Sequence, residues 1–201
     1  QIINCTVAGI DSSNGTTGHR LSPTPFSVTG SKDWLQSLRK NQVEADPIVR
    51  KQSIESQLNS LASEHGLELG DLSLIEEVLN LVEYPVTIAG TFPEELLDLP
   101  PKLLVESMRV HQRVFPSYSS EGNLSATFFA VTNQPNAINK DVAQIIANGN
   151  KRVLTARFYD AKFFYAEDRK KSLETHGKKL DAMRWVRNGG TMQDKSLRIS
   201  E

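Results

Sequence analysis

The chain has 201 residues, 38% of them hydrophobic and 23% charged, a balance that excludes a disordered polypeptide and leaves enough apolar material for a buried core. The formal net charge is −1 and no apolar run reaches the length of a bilayer-spanning helix, so neither a uniformly basic protein nor an integral membrane protein is expected. The charge is unevenly placed. Residues 1–149 carry 10 Lys/Arg against 17 Asp/Glu, whereas residues 150–201 carry 13 against 7. That asymmetry points either to a polyanionic partner at the C-terminal end or to a solvated helix face pairing with an acidic body.

No signal peptide is visible, and the sequence opens on Gln1 within a strand-like run, QIINCTVAGI, as expected of a piece of a longer polypeptide. Cys5 is the single cysteine; it reads as a small buried hydrophobe on that strand, and its solitude fits a reducing compartment. DSSNGTTG (11–18) is a polar turn, the prolines of SPTPFSVTG (22–30) allow only a short edge strand, and SKDWLQSLRKN reads as a helix capped by Ser31. Gly18-His19-Arg20 reads as a turn with an exposed cation, or as a phosphate contact. Asp46-Pro47 is a strong helix start, continued by Ile48, Ile54, Leu58 and Leu61 at helical spacing and closed by Gly66. Ser73 and Glu76 have capping-box spacing ahead of a second amphipathic helix, LIEEVLNLVEY, ending before Pro85.

PVTIAGTF is a buried strand, and Pro101 opens a helix that runs through KLLVESMRVHQR. VFPSY, the turn SSEGN and LSATFFAVTN form a hairpin. From residue 139 the pattern is helical: KDVAQIIANG stops at Gly149, Asn150 caps a new helix, and LETHGKKLDAMRWV is broken at Gly189-Gly190. Interleaved helices and hairpin strands predict an α+β fold with a mixed or antiparallel sheet: a body over 1–138 and a basic helical arm over 139–201.

The segment NKRVLTARFYDAKFFYAEDRKK (150–171) concentrates rings and cations. Leu154, Phe158, Ala161 and Tyr165 share one helical face, widened by Phe164, and are expected in the core. Arg157 and Asp160 are expected to pair at i, i+3. Lys151, Lys162 and Arg169 fall on another face, and Arg169, Lys170 and Lys171 close the helix where cations complement its dipole. Arg109, His111, Gln112 and Arg113 crowd an earlier helix end, open to a phosphate or ribose contact or to a solvated cluster.

No phosphate-binding glycine loop is present, and His19, His65, His111 and His176 are scattered without a C-x-x-C partner for Cys5, so no metal site or catalytic set is predicted.

LIEEVLNLVEYPVTIAGTFPEELLDLPPKLLVESMRVHQRVFP resembles the β subunit of bacterial-type glycyl-tRNA synthetase. The likeness continues through TTGHRLSPTPFSV, ATFFAVTN, GNKRVLTARFYDAKFFYAEDRKK and GGTMQDKSLRI, and so spans nearly the whole chain. Departures are Lys151 for a frequent Glu, Thr155 for Arg, Val114 for Tyr, Gln134-Pro135-Asn136 for IES, and Gly189 for Leu. The resemblance implies an internal fragment related to the B3/B4 region of the phenylalanine enzyme's β chain, leading toward an HD-type domain that it lacks. It implies glycine tRNA, the α subunit of an α2β2 assembly and the remaining β-subunit domains as partners, in the cytoplasm or a plastid. ATP and magnesium would be bound on α, with no cofactor in this segment. The charge pattern makes Lys162, Arg169, Lys170 and Lys171 the first expected tRNA-binding residues, then Lys151, Arg152, Arg109, His111 and Arg113. Two alternatives stand beside tRNA positioning: an inter-subunit or inter-domain scaffold, and an editing hydrolase of the B3/B4 type. Editing is disfavoured because glycine, the smallest amino acid, is selected by excluding larger ones.

Overall fold

The computed structural model describes residues 3–200. The long strand expected at the start is instead a tight hairpin of β1 (Thr6–Val7) and β2 (Ile10–Asp11), turned by Ala8 and Gly9, both at positive φ. Gln1 and Ile2 lie outside the described residues, and Cys5 is exposed rather than buried, as are the strands of this hairpin. β3 (Gly15–Thr17) pairs antiparallel with β4 (Pro25–Ser27), the edge strand its prolines permit. Helix α1 (Ser31–Lys40) begins one residue earlier than predicted: Gly30 is the N-cap and Ser31 the first helical residue. No side chain among the described residues caps this helix; Asp33 instead reaches back to accept from the Thr29 N–H at 2.9 Å, which holds its carboxyl below the usual range.

Helix α2 (Pro47–Glu64) follows the reading closely. Asp46 accepts from the Ile48 N–H at 2.9 Å, Ile54 and Leu58 are buried, and Gly66 leaves the helix at φ 64°. Short strand β5 (Glu68–Leu69) leads to α3 (Ile75–Val78), a single turn in place of the long helix predicted over 74–84. Ser73 forms no capping box; its N–H and hydroxyl turn back to Asp71. Beyond Val78 the carbonyl of Leu79 is taken by Arg50, and the N–H groups of Glu83 and Tyr84 by Asn133, so competing side chains draw the backbone out of the helix.

Strand β6 (Val86–Thr91), helix α4 (Pro101–Glu106), strands β7 (Val114–Tyr118) and β8 (Leu124–Thr132), and the long helix α5 (Lys140–Asp168) follow. The larger sheet is antiparallel throughout, in the order β5-β7-β8-β6, with Phe115 opposite Phe129 and Ile88 opposite Ala130. Alternation along β8 sends Phe128 and Ala130 to a core with Leu154, Phe158, Leu104 and Met108, and Phe129 to a second core with Ile54, Leu58 and Ile75. The α+β architecture read from the sequence is therefore borne out. The free edge of β6 is closed by Gln57 of α2, which accepts from the Thr87 N–H at 2.8 Å and donates to the Pro85 carbonyl at 3.1 Å.

Gly90 marks where the sheet is tightest: a Cβ there would overlap the buried Phe128 ring, with ring atoms at 2.9 and 3.0 Å. Gly90→Ala is expected to destabilise the chain by about 1–3 kcal/mol through overpacking, read as a lower urea midpoint at unchanged m-value.

The Gly18-His19-Arg20 turn does present an exposed cation, Arg20, but its histidine faces inward. His19 is fully buried; its Nδ1 accepts from the Leu21 N–H at 3.2 Å, which makes Nε2 the protonated nitrogen that donates to Asn133 at 2.9 Å. Gly18 is required beside it, since a Cβ would sit 2.9 Å from that of Asn41. Arg20 reaches Glu83; partial burial opposes the Glu83 charge, yet the Arg20 N–H and guanidinium prevail and hold that carboxyl below its ordinary value.

Two compact units emerge, residues 1–158 and 159–201. Helix α5 itself is unbroken through Gly149 and Asn150, where a stop and a new cap were expected. Asn139 caps it through the Asp141 N–H, and the Asn150 side chain donates to the Ile146 carbonyl one turn back. The 159–201 unit contains α6 (Leu173–Gly177), a 3-10 turn over Lys178–Ala182 and α7 (Met192–Ser200), with Arg184 bridged to Thr191 across the break at Gly189-Gly190. Thr191 and Asp194 cap α7 reciprocally, through Thr191 N–H to Asp194 and Asp194 N–H to the Thr191 hydroxyl.

Candidate nucleic-acid interface

Within the 1–158 unit, Leu154 and Phe158 are fully buried and fix the rotation of α5. Lys151 and Arg152 consequently stand exposed, and neither has a hydrogen-bonding or ionic partner among the described residues. Arg157 was expected to be spent on Asp160, but no such pair forms among the described residues, and its guanidinium is exposed. It shares a face with Ile146 and Asn150, which lie 11 and 7 residues earlier, because α5 runs unbroken through Gly149.

Within the 159–201 unit, Lys162 is exposed, and Arg169, Lys170 and Lys171 follow the last turn of α5. Lys170 pairs with Glu167, and the Arg169 guanidinium lies 5.5 Å from the centre of the Tyr165 ring. The expectation that the rings continue the core fails here. Phe163 and Phe164 are 60% and 62% exposed and meet edge to face at 5.5 Å, and Tyr165 is also exposed. Helical spacing selected the correct face as far as Phe158, after which nothing in the unit buries it. Trp185 is covered by the Lys195 ammonium at 3.2 Å, while Leu173, Met183, Leu197 and Ile199 are exposed.

The earlier cluster is differently employed. Residues 107–112 form a π-helix continuing α4, and Arg113 ends it in the left-handed region at φ 51°. Arg109 is half-buried and donates to the Asp71 carbonyl at 3.1 Å and the Ser73 hydroxyl at 2.8 Å, with an ion pair to the Asp71 carboxylate. The Ser73 N–H and hydroxyl, followed by Arg109, hold the Asp71 carboxyl below its ordinary range. Arg113 pairs through Nε with Glu77, and His111 is exposed. Arg109 and Arg113 are thus ties to the acidic 71–77 segment, which leaves Arg113 with its terminal nitrogens unengaged among the described residues.

Among the described residues no group of three or more His, Cys, Asp or Glu is placed to hold a metal ion, and no helix is long and apolar enough to cross a membrane. The arrangement offers cations, amides and rings for binding.

A family profile described as glycyl-tRNA synthetase beta subunit matches residues 1–201. The chain is 38% identical over 202 residues to the glycine–tRNA ligase beta subunit of Shouchella clausii, covering 100% of this chain and 29% of that protein. It is 36% identical over 201 residues to that of Bacillus subtilis, covering 100% and 29%, and 39% identical over 201 residues to that of Moorella thermoacetica, covering 99% and 28%. The chain therefore spans less than a third of the length of these relatives.

Proposed function

Since this chain belongs to the glycyl-tRNA synthetase beta-subunit family, we propose that it is a tRNA-positioning segment of a glycine–tRNA ligase, working beside an α subunit that binds ATP, magnesium and glycine. The observation that carries this reading is the set of exposed cations, Lys151 and Arg152 in one unit and Lys162, Arg169, Lys170 and Lys171 in the other. Such side chains neutralise phosphates and release counterions, which gives affinity that falls with salt. Exposed Phe163 and Phe164 add faces on which unpaired bases stack. Positioning contributes to rate because a misplaced acceptor end forfeits the proximity of the reacting groups. The setting proposed is the cytoplasm.

Replacing Arg169, Lys170 and Lys171 together by Ala is expected to lower the slope of log affinity against log salt by about 2–3, at the smaller end because Lys170 is shared with Glu167. A titration with glycine tRNA at four salt concentrations reads this directly. An unchanged slope would remove these residues from the phosphate backbone.

A scaffold role is the second reading, favoured by the exposure of Leu173, Met183, Leu197 and Ile199. It predicts that Leu197→Asp weakens assembly of the ligase while leaving the salt slope of tRNA binding unchanged.

A further inference from the structure

A cleft of about 260 Å³ opens between α3, the end of the π-helix, β8 and α5. Its apolar part includes Ala130 and Ile146, and its polar part is Gln112, Arg113, Thr132 and Asn150. Hydrogen-bonding capacity converges there unspent. Asn150 uses its amide nitrogen on the Ile146 carbonyl, at 3.0 Å, and leaves its oxygen without a partner among the described residues. The Gln112 amide and the Thr132 hydroxyl are likewise unengaged among the described residues, and Arg113 commits only Nε.

Three properties define the occupant. The volume lies below the range of about 300–1,000 Å³ usual for whole small-molecule sites, which suits one flat ring system rather than a larger ligand. Two amides beside an apolar floor suit a planar edge that carries donors and acceptors together, as the base edges of RNA do. No carboxylate lines the cleft; Arg113, its Nε held by Glu77, keeps its terminal nitrogens for a flanking phosphate, and Arg157 on the same α5 face as Asn150 adds an unpaired cation among the described residues. The lining holds no His, Cys or carboxylate to activate Thr132, so the cleft is built to hold and not to hydrolyse.

We propose that this cleft receives one unstacked nucleobase of the bound tRNA, read by Gln112 and Asn150 and anchored through its phosphate by Arg113 and Arg157. The proposal rests on the tRNA-binding reading above and adds a base-contacting site to it.

The test uses the full-length protein with glycine tRNA. Ultraviolet cross-linking of the wild-type complex, mapped by mass spectrometry, is expected to join an unpaired nucleotide to a peptide lining the cleft. The pair Gln112→Ala and Asn150→Ala, both on helices that Ala favours, is expected to weaken binding about tenfold while the salt slope stays as in wild type, because neutral amides release no counterions. Wild-type affinity in the double variant, with no cross-link in the cleft, overturns the base site and leaves the salt-dependent tRNA reading standing. Absence of salt-dependent binding by the wild-type protein overturns both. A lowered thermal midpoint in the double variant transfers the decision to the wild-type cross-link, where its presence supports the site and its absence overturns it.

Discussion

Phe158→Ala is expected to lower the unfolding free energy by about 3–5 kcal/mol, as is usual when a fully buried aromatic side chain is deleted. The ring stands edge to face against Phe92, with centres 5.0 Å apart, in the core shared by Leu96, Leu104, Met108 and Leu154. Deletion removes the transfer free energy of the ring and leaves a cavity between elements too rigid to collapse fully. Phe158→Leu, which retains much of the volume, is expected to cost distinctly less. Urea unfolding of both variants checks the pair. A cost below about 1 kcal/mol for the Ala variant would mean that this core closes over the gap and that α5 is held elsewhere. The result bears on the proposed tRNA binding, because Leu154 and Phe158 set which way Lys151, Arg152 and Arg157 face.

The second large effect is expected at Asn133. Its side-chain oxygen accepts from the Glu83 N–H at 2.7 Å, the Tyr84 N–H at 3.1 Å and His19 Nε2 at 2.9 Å. Asn133→Ala leaves three part-buried donors without that acceptor, at about 1–3 kcal/mol for each one that water does not reach, so a loss of about 2–4 kcal/mol is expected. Asn133→Asp preserves the acceptor but brings a second carboxylate toward Glu83, and should fall between wild type and the Ala variant. His19→Ala breaks the same knot, so the two Ala variants should be less than additive. Full additivity in the double variant, measured by denaturant unfolding, would show that His19 and Asn133 act separately.

Much of the fold was legible because local signals agreed with tertiary packing. Asp46-Pro47 opens α2, Gly66 closes it, and the β7–β8 hairpin follows alternation and turn chemistry. The α5 boundary failed for a different reason. Gly149 is a weak stop when nothing crowds it, and an Asn at 150 caps a helix only where the preceding chain is not already helical. That misreading placed Ile146 and Asn150, which both line the cleft, on two different helices. The cations proposed from the charge pattern are exposed apart from Arg109, but which are free was not legible. Pairing of Arg109 with Asp71 and Arg113 with Glu77 joins residues 38 and 36 positions apart.

The sequence by itself determined the α+β class, the family, and the concentration of cations in the last quarter, because periodicity, motif and charge are properties of neighbours along the chain. Tertiary structure alone decided that His19 is a buried hub, that α3 stops after one turn, that Phe164 and Tyr165 leave the core, and that Gln112, Arg113, Thr132 and Asn150 meet at one cleft. Each of those outcomes turns on a donor, acceptor or surface supplied from a distant segment. Burial and hydrogen-bond satisfaction are settled by whatever packs across the gap, and local sequence carries no record of it.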